Sequence, residues 1–477
     1  MSQPARVEEI PYRDPASLFP AFADLPYPLF LDSAMAEPRL GTVSYIAADP
    51  FKVIRTDGAT TTIDDAAVDG QPFDILKAEL ARYELERHED PDVPPFQGGA
   101  AGLFGYDLAR SLENLPDTQS DEMQFPAMAV GFYDVVLAFD HNAKRAWLIS
   151  TGQPEATQAG REKRACERAA RFHDLLVDEA DWPVMIMPAL DWEYSDSRAE
   201  YEAKVQKVID YIYAGDIFQA NLSQRFAADL PDGFDSLAFY GRLRQMNSAT
   251  FCGYFSTGDT VIASSSPERF LKVDAGRVET RPIKGTRPRG ETAAEDRALA
   301  AELLASDKDR AENVMIVDLL RNDLSKNCAP HTVTVPELCA LESYASVHHL
   351  VSAVTGALKA GRSAVDLLAG SFPGGSITGA PKVRAMEIIA ELEQERRGPY
   401  CGSLGFISFA GDMDTSILIR TLAIRNNRIT FQAGGGIVAD SDPAAEYEET
   451  LVKGRRLFEA LAAMTSGRAE QSNKAVS

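Results

Sequence analysis

Cationic side chains are in short supply: 48 lysines and arginines stand against 71 acidic residues, a formal net charge of −23. Nucleic acids and anionic membranes are recognised through clustered cations, so neither is expected as a partner. The five cysteines, Cys166, Cys252, Cys328, Cys339 and Cys401, are odd in number and none lies in a CxxC pair. That excludes a complete disulfide framework and a thiolate zinc site, and predicts reduced thiols in a cytoplasm. No apolar run reaches the roughly 18 residues of a spanning helix. The first ten residues are polar and acidic, unlike a signal peptide. No repeat with a period of about 20–50 residues is present. Gly98, Gly99, Gly102 and Gly105 in FQGGAAGLFGY miss the GxGxxG spacing, and read as close strand packing and bulges. What remains is ordinary globular composition, 45% hydrophobic in 477 residues, enough for two or three domains or one large one.

Short strands are expected at 29–31, 43–46, 127–139 and 146–149, and a helix within 151–180. Pro183 and Pro188 mark a linker at 181–196. Ser197 with Glu200 forms a capping box, followed by Tyr201, Val205, Val208, Ile209 and Ile212 at helical spacing. Gly215 closes that helix, and residues 217–226 alternate as a strand. Helices and antiparallel-looking strands then intermingle without a regular βαβ rhythm, which points to an α+β architecture.

Lys284 is the decisive residue for chemistry. It sits in ETRPIKGTRPRG (279–290) among Arg281, Arg287 and Arg289. An unperturbed lysine is a free amine only to roughly 10⁻³ at neutral pH; neighbouring cations or desolvation lower its pKa, and the arginine cluster would supply the first of these. The plain alternative is a solvated basic loop. Glu268, next to Arg269, reads either as a surface pair or as a carboxyl whose pKa a cleft raises for proton donation. Residues 309–324 put Glu312 on the apolar stripe of a helix, where a carboxylate needs a partner. Glu446, Glu449 and Lys453 share one helical face, by spacing alone a solvated one. Gly434, Gly435 and Gly436 let backbone N–H groups approach an anion. GGSITGAPK (374–382) superficially resembles a P-loop, yet Ala380 follows Gly379 and Pro381 removes a donor, so a nucleotide site is rejected. Arg420, in the apolar strand expected around DTSILIRTL, demands an unseen partner.

SSPERF (265–270), PIKGT (282–286), VDLLRND (317–323), GGSITGAPK (374–382) and GGGIV (434–438) occur in that order. Together they resemble the chorismate-utilising enzymes, over about residues 195–460 and more weakly over the first 150. The resemblance implies two large packed antiparallel β-sheets flanked by helices. It also implies an N-terminal region at 1–180, a chorismate-binding catalytic domain at 195–464 sharing its core, and a disordered tail at 465–477. Anthranilate-forming members look like PIAGT where this chain has Lys284. Lysine there resembles the branch forming 4-amino-4-deoxychorismate for para-aminobenzoate and folate synthesis. By that resemblance Lys284 is the covalent nucleophile and Glu268 the acid. Glu312 and Glu449 are direct Mg²⁺ ligands, with Glu446 acting through water. Arg420, Tyr400, Thr378, Gly379, the three glycines at 434–436, His349, Lys453 and Gln219 face the substrate. His348 does not, because adjacent strand residues point oppositely. Glutamine at 219, where isochorismate-forming members carry a lysine base, favours an amine over water. No glutaminase-type cysteine is present, so ammonia comes from solution or from a separate glutamine amidotransferase subunit. The chain's end also leaves no room for a fused lyase. Leu31-Asp32-Ser33 is similar to a segment lining a tryptophan pocket in anthranilate-forming members. Its partner segment, NSATF (247–251), lacks that family's prolines, which suggests a structural or vestigial pocket at Ser33. An anthranilate-forming member and a non-catalytic chorismate-binding regulatory subunit are the rival readings.

Overall fold

The computed structural model describes residues 5–35, 40–176, 181–344 and 347–465. Beyond Thr465, the tail expected to be disordered lies outside the described residues. Two 12-stranded sheets, with antiparallel pairing throughout their named strands, carry the fold, as the α+β expectation required. In the first sheet, strands Arg6–Ile10, Arg145–Ser150, Val135–Asp140, Val43–Ala47 and Leu29–Asp32 lie side by side. They continue into Phe251–Ser256, Thr260–Ser266, Thr421–Arg425, Arg428–Ile437 and Gln219–Asp229. The second sheet runs from Ile283–Pro288 through Val347–Ala357, Arg277–Thr280, Arg269–Asp274 and Met413–Ile417 to Ser403–Ser408. It then passes into Gly99–Phe104, Met128–Tyr133, Lys52–Asp57, Thr60–Ile63 and Ala66–Val68. Each sheet is therefore two contiguous blocks, one early and one late in sequence, that meet at a single seam. The seams are Leu29–Asp32 against Phe251–Ser256 and Gly99–Phe104 against Ser403–Ser408.

Alternation along the strands sends one set of side chains between the sheets and the other to the helices. Phe96 stacks on Phe406 at 4.5 Å and Tyr45 meets the latter edge-on at 5.3 Å. With Leu103, Ala129, Ile149, Phe255 and Leu404 they fill the inter-sheet core. The helix Gln158–Leu175 and the C-terminal helix Pro443–Ala462 cover the outer face of the first sheet through Phe172 and Leu457. Leu76, Ile316 and Leu367 from three other helices cover the second. The Ser197–Glu200 capping box forms as expected and starts the helix Arg198–Tyr213. The presumed linker is not wholly irregular, because Glu193–Tyr194 pairs with the edge of the first sheet. Among the described residues no helix is long and apolar enough to cross a membrane, and all five cysteines are free.

The glycine-rich run is explained by the second seam. Gly102 pairs with Gly405 across it. A Cβ at Gly102 would lie 2.3 Å from the Ala129 carbonyl oxygen, and one at Gly405 would lie 2.2 Å from that of Asp414. Gly405→Ala is therefore expected to cost about 1–3 kcal/mol by overpacking, read as a lower urea midpoint with unchanged m-value.

Candidate active site

The site forms where the chain crosses between sheets. Glu268 lies on the crossing from Thr260–Ser266 in the first sheet to Arg269–Asp274 in the second. Arg420 lies on the return crossing, between Met413–Ile417 and Thr421–Arg425. The crossings are tied together: Ile417 N–H donates to the Glu268 carbonyl at 3.0 Å, and Ser265 N–H to the Arg420 carbonyl at 3.1 Å. Arg420 is thus not in a strand, contrary to expectation, but in a bend with φ +52°. Departure from the pleat turns its side chain off the sheet. Among the described residues no hydrogen bond or ion pair holds its guanidinium, and burial lowers its pKa against the opposing pull of Glu268. A desolvated, unpaired guanidinium is suited to receiving a carboxylate.

Lys284 comes from the edge strand Ile283–Pro288, whose pairing with Val347–Ala357 shifts register between Lys284 and Thr286. Gly285, at φ +77°, makes that bulge; a Cβ there would strike Leu303 and Asp309. The Lys284 side chain is half-buried, and its Nζ donates to the Ser376 carbonyl at 3.2 Å. Burial lowers its pKa, while Glu312, Glu268 and Glu449 pull the other way. Of the two expected causes, desolvation and the neighbouring arginines, the first acts and the arginines do not. Those are neutralised: Arg281 by Glu337 and Glu342, Arg287 by Glu302 at 2.8 Å, and Arg289 by Asp296 at 2.7 Å. Desolvation does what the cations were expected to do.

Glu268 is buried, and its Oε1 accepts a 2.7 Å hydrogen bond from the Ser376 hydroxyl. Burial raises its pKa; Ser376, Lys284 and Arg420 restrain the rise. An amine biased toward neutrality and a carboxyl biased toward protonation therefore flank one residue, the combination that nucleophilic attack with acid assistance requires.

Two further carboxylates, Glu312 and Glu449, act on Lys284 electrostatically, and Glu446 stands on the same helix as Glu449. Glu446 accepts from Ser441 Oγ at 2.7 Å, and Glu449 pairs with Lys453 at 2.6 Å, the i,i+4 contact its spacing foresaw. Lys453 Nζ also donates to the Gly434 carbonyl at 2.8 Å. Gly435 faces both carboxylates: a Cβ there would stand 3.0 Å from Glu446 Oε2 and 3.3 Å from Glu449 Oε1. Glu312, on Asp307–Asn327, is half-buried; the fully buried stripe of that helix runs one residue on, through Asn313, Ile316, Val317 and Leu320. Burial raises the pKa of Glu312 and of Glu446, and Glu449 adds to both. Among the described residues no three His, Cys, Asp or Glu side chains are gathered closely enough to hold an ion by themselves. One or two carboxylates beside an open glycine backbone fit Mg²⁺, which retains waters and uses substrate oxygens.

Gly434, Gly435 and Gly436 pair with Ser223, Leu222 and Asn221, whereas pairing on the other side of that strand stops at Phe431. Gln219 is buried, its Oε1 has no hydrogen-bond partner among the described residues, and its amide nitrogen fills the space a Gly436 Cβ would need. Gly379 pairs with Ala220, and Thr378 spends its hydroxyl on the Gly374 carbonyl at 3.1 Å. His349 bonds Thr286 Oγ1 at 2.8 Å, and burial pushes its pKa down to about 4. His348 instead joins Ser343 and Asp296. Tyr400 is buried against Arg397, and burial keeps its phenol protonated. Two residues escaped the sequence reading. Ser376 stood inside a recognised motif without a role. Arg397, fully buried in ERRGPY, binds Glu393 and the Ile377 and Asn221 carbonyls between the rings of Tyr106 and Tyr400. Its burial has no local periodic signal.

Ser33 lies elsewhere, in a cavity of about 120 Å³ between the seams, lined also by Asp32, Phe251, Arg269, Leu404 and Asp414. Its hydroxyl donates to the Val43 carbonyl at 2.7 Å.

A family model described as chorismate binding enzyme matches residues 29–459. Aminodeoxychorismate synthase component 1 of Salmonella typhimurium is 42% identical over 95% of this chain and 97% of its own. Its Escherichia coli counterpart is 41% identical over 93% and 95%. Anthranilate synthase component 1 of Thermus thermophilus is 39% identical over 92% and 93%. Among solved structures, anthranilate synthase component I from Streptococcus pneumoniae superposes with a TM-score of 0.77 at 33% identity, covering 89% of this chain and 93% of that one.

The lowered pKa of Lys284 predicts acetylation at a lower pH than for the exposed Lys163. Peptide mass spectrometry after limiting acetic anhydride checks the order.

Proposed function

The chain belongs to the chorismate binding enzymes, and from that premise we propose that it aminates chorismate to 4-amino-4-deoxychorismate as an aminodeoxychorismate synthase component 1. The observation that carries this reading is Lys284, an amine of lowered pKa with no ion pair among the described residues, held opposite a carboxyl of raised pKa. Relatives of 41–42% identity bear that activity in their names.

Lys284 attacks C2 of the ring while Glu268 protonates the C4 hydroxyl, which leaves as water as the double bonds shift. Ammonia adds at C4, the C2–N bond breaks with its electron pair returning to the Lys284 amine, and Glu268 recovers a proton from the new ammonium group. One difficult displacement becomes two allylic ones, with the enolpyruvyl group retained. Arg420, with Tyr400 and the Thr378–Gly379 turn, receives the substrate carboxylates. His349, neutral at physiological pH, and Lys453 bound the cleft. Gln219 cannot act as a base toward water, and its unpartnered oxygen is suited to accepting from ammonia. Glu312 and Glu449 would hold Mg²⁺ directly and Glu446 through water; bound there, the ion offsets the ring carboxylate in a protein of net charge −23. Ammonia is supplied by a second, glutamine-hydrolysing subunit in the cytoplasm, or from solution. The Ser33 cavity is the place for a tryptophan-type ligand, kept here as a structural feature.

Incubation with chorismate, Mg²⁺ and ammonium salt is expected to give no anthranilate fluorescence, but a product that an added aminodeoxychorismate lyase converts to para-aminobenzoate. Anthranilate formed directly would reverse the assignment. Intact-mass spectrometry should detect an adduct that Lys284→Ala abolishes, and Glu268→Gln should lower kcat about 10²–10⁴-fold. Activity needs Lys284 neutral and Glu268 protonated. It falls at low pH as the amine takes a proton and at high pH as the acid loses one, the two limbs belonging to the coupled pair. Gly435→Ala, crowding both carboxylates, is expected to weaken Mg²⁺ binding measured by calorimetry while leaving the melting temperature near that of the parent.

A further inference from the structure

Among the described residues, Ser376 is the one bonded to both reacting groups. It lies in the short 3₁₀ turn Gly375–Ile377, is 8% exposed, and offers its two polar functions in two directions. The hydroxyl donates to Glu268 Oε1 at 2.7 Å; the carbonyl accepts from Lys284 Nζ at 3.2 Å. The turn is itself anchored from both sides. Arg397 holds the Ile377 carbonyl at 3.1 Å. Lys382, just past the turn, is locked to Asp323 at 2.6 Å and to the Ser371 carbonyl at 2.8 Å. Gly375 packs against Leu319 so closely that a Cβ would come within 2.6 Å of its Cδ2. The turn therefore cannot drift without breaking buried contacts.

We propose that Ser376 is a positioning residue that sets the acid and the nucleophile relative to each other. This rests on the amination reading above. A hydroxyl donating to Oε1 leaves the acidic proton on Oε2, which makes no hydrogen bond among the described residues and is free for the leaving hydroxyl. When that proton departs, the same Ser376 bond stabilises the carboxylate left behind, ready to take the proton of the incoming ammonium. The carbonyl takes one N–H of Lys284 and is too weak a base to remove it. It thereby holds one of the amine's three staggered positions and confines the lone pair to the other two. One turn thus aligns both halves of the exchange, and misplacement of either group by about 1 Å costs on the order of 10²-fold in rate.

The test compares wild type, Ser376→Ala and Ser376→Thr in ammonia-dependent turnover across pH, with Lys284 adduct formation followed by intact mass. Removing the hydroxyl removes a bond that favours the carboxylate. Whichever limb of the profile reports Glu268 must therefore move to higher pH in Ser376→Ala. The kcat of this variant should fall about ten-fold or more, with KM for chorismate changed less than about three-fold. A folded Ser376→Thr, retaining the hydroxyl, returns both toward wild type. The proposal is overturned if both limbs of Ser376→Ala coincide with those of wild type, or if a folded Ser376→Thr behaves as the alanine variant does. If wild type itself yields neither amination product nor adduct, the functional reading has failed instead.

Discussion

A lysine ringed by carboxylates yet paired with none of them is the constraint on which the rest of the site depends. Glu268, Glu312 and Glu449 all act on Lys284 electrostatically, and a direct bridge to any of them would fix it as an ammonium. Geometry prevents that. The Gly285 bulge sets where the side chain leaves the strand, and a backbone carbonyl, with no charge to trade, occupies its donor. Glu449 is drawn to Lys453 and Glu446 to Ser441. Desolvation is left to win over attraction, because Glu268 and Glu449 already have partners in Ser376 and Lys453.

The same economy explains how an acidic protein serves an anionic substrate. Most arginines named from the sequence are spent on structure: Arg281, Arg287 and Arg289 pair with acids. Arg397, which the sequence did not single out, is likewise consumed within the core. Among the described residues Arg420 is left unpaired, on a crossing between sheets.

Much of this was legible in the order of the motifs. The capping box at Ser197, the strand beginning near Gln219, the Glu449–Lys453 contact and the opposite facing of His348 and His349 follow from local spacing, because each depends on residues a few positions apart. Which of two causes shifts Lys284 was not legible. The acids that silence its arginine neighbours are Asp296, Glu302, Glu337 and Glu342, and only the folded chain brings them close. Arg420 was misplaced into a strand because its apolar neighbours continue the alternation through a bend. The role of Ser376 was hidden because one of its two bonds is made by a backbone atom that any residue would supply.

The seams carry a consequence for synthesis on the ribosome. The early blocks emerge first, each with an open edge: Leu29–Asp32 on one and Gly99–Phe104 on the other. The former finds its neighbour once Phe251–Ser256 is made, but the latter must wait for Ser403–Ser408. Through that interval a strand of glycine, alanine, leucine and phenylalanine offers bare amides to solvent. The nascent chain is therefore open to mispairing until Ser403–Ser408 is made, and the glycines that let the finished seam close so tightly give that waiting strand no charge with which to repel a stranger.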